Sequence, residues 1–227
     1  SISWKKWKES GAIGDINGDG KPDLSTANSA VYSVSVLINN GNGTFATKVD
    51  YTTADFPVSV AIKDLNGDGR PDLAAANYND SSVSVFLNRG NGIFANKVDY
   101  NTALNPYSVA IGDVNGDGKP DLATANLGAI SVSVFINNGN GTFAIKADYT
   151  TLSGPNSVAI GDVNGDGKGD LVVANSGTSF ISVFINNGNG TFATKVDYGT
   201  GTNPYSVAIG DLNGDGRPDL AVANYNS

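Results

Sequence analysis

A nine-residue pattern, Asp-x-Asn-Gly-Asp-Gly-(Lys/Arg)-x-Asp, begins at Asp15, Asp64, Asp113, Asp162 and Asp211, each copy 49 residues after the last. Carboxylates, amide oxygens and backbone carbonyls are hard donors of the kind that hold Ca2+. In a tightly curled loop, alternate side chains turn toward one centre, and a glycine at position six supplies the sharp bend, as in an EF-hand loop. The donors so placed are Asp15, Asn17, Asp19, the carbonyl of Lys21 and Asp23 in the first copy, then Asp64, Asn66, Asp68, Arg70 (carbonyl) and Asp72. The later sets are Asp113, Asn115, Asp117, Lys119 (carbonyl) and Asp121; Asp162, Asn164, Asp166, Lys168 (carbonyl) and Asp170; Asp211, Asn213, Asp215, Arg217 (carbonyl) and Asp219. The EF-hand's glutamate at position twelve is missing, with Thr26, Ala75, Thr124, Val173 and Val222 in its place, so Asp at position nine must supply the last carboxylate. Asn-Gly and Asp-Gly also form hairpin turns unaided. A turn alone does not need further Asp at fixed offsets, where like charges repel. The expectation is one Ca2+ per loop; Mg2+ fits less well because it demands a tighter octahedron and keeps its waters.

The rest of the composition narrows the chemistry. The 227 residues contain no His, Cys, Met or Gln, and Glu9 is the only glutamate among 22 acids. Without His or Cys there is no imidazole base, no activated thiol and no ordinary zinc, iron–sulfur or haem ligation. A net charge of -8 without a basic block argues against nucleic acid as a partner. The five loops hold 15 of the 22 acids and 5 of the 14 bases, so that charge describes the loops rather than the remaining surface. No stretch approaches the ~20 apolar residues of a membrane span. The chain begins at Ser without a signal-peptide pattern, which reads as a mature or excised segment.

The elements that carry the loops follow from the same 49-residue period, which Phe45, Phe94, Phe143 and Phe192 also keep. One period contains the runs SVAIGD (108–113), PDLATAN (120–126), SVSVFIN (131–137) and a last run typified by FATKVDY (45–51). These alternate at period two between Asn-Gly and Pro signals, and none has helical period. An all-β fold is expected: a β-propeller of 49-residue, four-stranded blades forming a single domain over residues 1–227. Its repeats fall at about 10–58, 59–107, 108–156, 157–205 and 206–227. The fifth is half a blade. Residues 1–9, with Trp4 and Trp7 among Lys5, Lys6 and Lys8, either pair with the 218–224 strand to close a five-bladed ring or form a frayed tail. A solenoid whose half-blade is completed by another molecule is the alternative architecture.

The strand–loop–strand SVAIGDLNGDGRPDLAVAN (206–224) resembles the FG-GAP/VCBS repeats of integrin-α-type β-propellers, and the resemblance extends over residues 10–227. It implies a calcium-binding propeller, secreted or on the cell surface, in adhesion or carbohydrate-associated proteins, with the loop positions above as ligands. The sequence departs from that pattern in carrying VAN or AAN where many members have Gly-Ala-Pro, in Gly169 for Pro, and in having five copies rather than seven. The leading functional expectation is a non-enzymatic extracellular binding or adhesion module with a glycan or protein ligand. A scaffold that self-associates through its open blade is the second. A glycosidase or lyase would need an Asp pair in a cleft outside the loops. The Asp residues left over are Asp50, Asp55, Asp80, Asp99, Asp148 and Asp197, four of which recur beside Lys on a solvated face. Recognition is expected in the variable 52–56, 101–105, 150–154 and 199–203 loops and in the 27–31, 77–81 and 126–130 loops, because the strands repeat and these do not. Asn42, Asn140 and Asn189 stand in N-glycosylation sequons that the turns already explain.

Overall fold

The computed structural model describes residues 10–226. Its strands form antiparallel meanders, each built from one repeat. The first sheet contains β1 (Gly11–Gly14), β2 (Asp23–Asn28), β3 (Ser33–Leu37) and β4 (Val49–Thr52). The second contains β5 (Pro57–Lys63), β6 (Asp72–Asn77), β7 (Ser82–Phe86) and β8 (Val98–Asn101). The third contains β9 (Pro106–Gly112), β10 (Asp121–Asn126), β11 (Ser131–Phe135) and β12 (Ala147–Thr150). The fourth contains β13 (Pro155–Gly161), β14 (Asp170–Asn175), β15 (Phe180–Phe184) and β16 (Val196–Gly199), and a two-stranded fifth pairs β17 (Thr202–Gly210) with β18 (Asp219–Asn226). The all-β expectation and the four-stranded unit are therefore both observed, and the proposed closing segment, residues 1–9 with Trp4 and Trp7, lies outside the described residues.

One strand is shorter than its sequence pattern. The alternation from Phe45 predicts a strand over 45–51, yet the ladder of β4 begins at Val49, and Phe45 makes only an isolated bridge to Asn39. The last strands of the next three repeats start at the same offset, and there the ring has a competing use. Phe94, Phe143 and Phe192 turn into the space between their own sheet and the preceding one, where each is less than one-tenth exposed. Phe94 packs there with Ile16, Val34 and Val36 of the first repeat and with Val60, Leu73 and Phe86 of the second. The sheets thus bury their apolar faces on one another, the main stabilising term for repeats that cannot do so alone.

Polar latches repeat across the same interfaces. The side-chain amides of Asn88, Asn137 and Asn186 donate to the carbonyls of Ile16, Leu65 and Val114 at 2.8, 2.7 and 2.6 Å, each 72 residues back. In the opposite direction, the hydroxyls of Tyr51, Tyr100 and Tyr149 donate to the carbonyls of Gly92, Gly141 and Gly190. These tyrosines pack between sheets.

The array curves. Strands β1, β5, β9, β13 and β17 pack side by side in that order. The hydroxyls of Tyr107 in β9 and Tyr205 in β17 nonetheless meet at 2.6 Å, although a whole sheet separates them in sequence. Stacked sheets lie about 10 Å apart, so sheets two steps apart in a straight solenoid would be about 20 Å apart. The first strands must therefore gather around a common axis, giving a propeller-like fan.

A polar chain crosses each four-stranded sheet. Asn126 donates to Ser131 and Ser133, and Ser133 donates to Asp148 at 2.6 Å. In the third sheet, Thr124 completes the chain by donating to Asn126 Oδ1 at 2.9 Å. Ala75 and Val173 occupy that position in the second and fourth sheets, and there Asn77 Oδ1 and Asn175 Oδ1 are buried without a partner. Val173→Thr should stabilise the protein by about 1 kcal/mol, and Thr124→Val should destabilise it by about 1–3 kcal/mol. Urea denaturation of both variants checks this; a Val173→Thr protein no more stable than wild type would refute the account.

Candidate functional site

The five aspartate loops each join the first strand of a sheet to its second, so side-by-side packing of β1, β5, β9, β13 and β17 brings them to one end of the fan. Within a loop, the aspartate at position one acts as a template. Asp15 Oδ1 accepts from the amides of Gly18 and Asp19 at 2.8 and 3.0 Å, and Oδ2 accepts from Gly20 at 2.8 Å. Asp64, Asp113, Asp162 and Asp211 hold the corresponding glycine amides at 2.7–2.8 Å. Gly18 and Gly20 take φ of 80° and 81°, the left-handed region that favours glycine. Those amides hold the Asp162 and Asp211 carboxyls below the ordinary carboxylate range, with Gly167 and Gly216 contributing most.

Positions three and five continue the turn: Asn17 Oδ1 accepts from Asp19, and Asp19 Oδ1 accepts from Lys21, both at 3.0 Å. At position seven the side chain points back toward position five. Lys21–Asp19, Lys119–Asp117 and Lys168–Asp166 lie at 3.2, 3.3 and 3.5 Å, and Arg70–Asp68 at 3.6 Å. These exposed pairs add little stability. Their carbonyls, the atoms of interest for a cation, leave the side chain free for this contact.

Position nine behaves differently. Asp23, Asp72, Asp121 and Asp170 are fully buried. In each, Oδ2 accepts from the position-two amide (Ile16, Leu65, Val114, Val163) at 2.8–3.0 Å, and Oδ1 accepts from the amide of Asn39, Asn88, Asn137 or Asn186 at 2.7–2.8 Å. One carboxylate therefore ties the loop to the hairpin after the third strand. In the two-stranded fifth sheet, Asp219 has the first of these bonds, from Leu212 at 3.0 Å. Burial pushes the Asp72 carboxyl up to about 6, with Asp68 and Asp64 adding repulsion, and Asp121 moves the same way for the same reasons.

The structure thus brings the predicted positions of every loop into one small turn, but it directs their carboxylates onto backbone amides. Among the described residues, no three acidic side chains form a cluster that could hold a metal ion. The donor set itself is all oxygen and fits a hard divalent cation, since a carboxylate oxygen that accepts one amide keeps further lone pairs. Sequence reasoning missed the hairpin asparagines Asn39, Asn88, Asn137 and Asn186, which hold position nine from outside the motif. Their 49-residue step was the available signal. The sequon residues Asn42, Asn140 and Asn189 use their side-chain oxygens to hold Thr44, Thr142 and Thr191.

A family model described as an FG-GAP-like repeat matches residues 15–75, 64–124, 123–173 and 162–222. No curated protein shows significant sequence similarity to the chain. Similar solved structures include an Agrocybe aegerita lectin that recognises non-reducing terminal N-acetylglucosamine, at 22% identity and a TM-score of 0.58, covering 95% of this chain and 57% of the lectin. The Photorhabdus luminescens Tc holotoxin pore aligns at 21% identity and a TM-score of 0.54, covering 94% of this chain and 10% of that one. BBS1N in complex with ARL6DN aligns at 12% identity and a TM-score of 0.64, covering 94% and 61%. These likenesses concern the fold, and the chain spans less than two-thirds of each of those proteins.

Positions five and nine should separate in a chelator-containing buffer. Asp121→Ala leaves two buried amides without their charged acceptor and should cost about 3 kcal/mol or more, whereas Asp117→Ala should cost under about 1 kcal/mol. Equal losses in chemical denaturation would contradict a structural role specific to position nine.

Proposed function

The chain belongs to the FG-GAP-like repeat family, and from that premise we propose that it is a non-enzymatic, calcium-binding, propeller-like module that acts outside the cell or at its surface in binding or adhesion. Its ligand in this reading is a glycan or a protein. The observation that carries the calcium part is the donor chemistry: five pre-turned loops at one end of the fan, each offering Asp, Asn, Asp and a carbonyl oxygen, with a further Asp behind them that is buried in the first four. The residues that would hold the ion are those at positions one, three, five, seven and nine of each loop. Bound calcium would supply the positive charge that the repelling carboxylates lack, and so stabilise the turn. The glycan part draws support from the Agrocybe aegerita lectin, whose fold this chain shares.

Extracellular calcium modules have dissociation constants of about 10⁻⁴–10⁻³ M. At tenfold excess over that constant, each site adds about 1.4 kcal/mol to stability. At about 2–4 °C per kcal/mol for a chain of this size, chelation should lower the melting temperature by ten degrees or more if all five loops fill. An unchanged melting temperature would reject calcium, and a glycan array run in calcium tests the ligand class.

Self-association is the second reading, favoured by one observation. Phe45, the counterpart of the buried inter-sheet phenylalanines, is 38% exposed on the first sheet. Tyr198, the counterpart of the latching tyrosines, is 52% exposed on the fourth. The two surfaces are opposite halves of the repeated interface. Light scattering should then show concentration-dependent oligomers that Phe45→Lys abolishes, both with and without residues 1–9; a strict monomer in every form removes this reading.

A further inference from the structure

Three of the four hairpins that follow the third strands share the sequence NNGNGT, beginning at Asn39, Asn137 and Asn186; the second sheet alone has NRGNGI from Asn88. In the common form, the turn is closed by its own side chains: Asn40 donates to Thr44 at 2.9 Å, and Thr44 donates to Asn42 at 2.7 Å. The second hairpin loses both bonds, because Arg89 replaces the first asparagine's successor and Ile93 replaces the threonine. Asn91 there adopts φ of 54°, unlike its counterparts.

The position-seven residue follows suit. The stems of Lys119 and Lys168 lie so close over Gly139 and Gly188 that a Cβ there would stand 2.7–2.8 Å from them, whereas Arg70 keeps 3.8 Å from the corresponding point on Gly90. What opens is a groove of about 550 Å³ between the first aspartate loop and the second sheet, lined by Asp15 to Gly18, Gly69 to Pro71 and Arg89 to Asn91. Two guanidinium groups border it. Arg70 has Asp68 at 3.6 Å, and Arg89 forms no ion pair with a described residue. The acid on the opposite wall, Asp15, is turned onto three backbone amides.

We propose that this groove binds an acidic oligosaccharide, with Arg89 and Arg70 holding a carboxylate or sulfate of one sugar unit. The inference rests on the glycan reading above and assigns it a place and a charge. Planar guanidinium forks match oxyanions bidentately. The remaining lining is rich in amides and glycine, with Asn91 able to meet hydroxyls, and Ile16 is buried beneath it. Such a wall suits a polyhydroxylated chain better than a peptide, which would need pockets for apolar side chains.

Arg89→Asn restores the asparagine of the other hairpins, so the variant is expected to fold and melt as wild type does. Calorimetric titration would compare an oligogalacturonate and a sulfated heparin fragment with a neutral chito-oligosaccharide and a poly-Glu peptide. The expected result is binding of at least one acidic sugar, weakened about tenfold or more in Arg89→Asn. Undiminished acidic-sugar binding by Arg89→Asn overturns the proposal, as does poly-Glu binding of equal strength. Neutral-sugar binding alone, independent of Arg89, overturns the groove but leaves the glycan reading standing. Binding of no sugar at all removes the glycan reading together with this site.

Discussion

The buried carboxylate at position nine is the constraint on which the rest of the molecule depends. Asp23, Asp72, Asp121 and Asp170 each stand where a loop, a second strand and a distant hairpin converge, and each accepts an amide from both sides. A buried charge is tolerated only when it is well hydrogen-bonded. Those bonds therefore fix the loop on the hairpin with little freedom. In the second, third and fourth repeats the hairpin asparagine in turn reaches back to the preceding repeat, so one carboxylate in each connects the acidic loop to the stacking of sheets.

This arrangement gives the acidic loop two layers. The outer one consists of exposed acids and an asparagine held in a glycine-permitted turn, open to ions and solvent. The inner one is a clamp that belongs to the fold whatever occupies the outer layer. The distinction matters because a single motif combines both. Substitutions at positions five and nine look equivalent in sequence, but the first removes an exposed donor and the second leaves buried amides unanswered.

Much of this was legible in the residues. The 49-residue period, the four runs per repeat and the Asn-Gly turns gave the sheets, and the same period located the loops. The FATKVDY run was misread because period-two alternation cannot tell a ring that pairs in a ladder from one that rotates into a neighbouring interface; Phe94 does the latter. The structural role of position nine was not legible, because the loop pattern treats all its acids alike and burial is a property of the sheet behind it. The Asn88-to-Ile16 latch joins residues 72 apart, a distance no local pattern reveals. The loss of Thr at Ala75 and Val173 was visible, but its consequence, an orphaned asparagine oxygen, appears only once strands are paired.

The latches also have a direction. The amides of Asn88, Asn137 and Asn186 reach to the repeat before and the hydroxyls of Tyr51, Tyr100 and Tyr149 to the repeat after, so the second and third repeats are held from both sides. Such an array behaves as a one-dimensional cooperative lattice, whose stability is a sum of unit and nearest-neighbour terms. Opening is then graded along the array, with the doubly latched second and third repeats the last to open. Among the described residues, Asp219 of the two-stranded fifth sheet accepts only the amide of Leu212, so that sheet carries fewer of these ties than the others. A protein of near-identical units thus acquires a gradient of local stability from position alone.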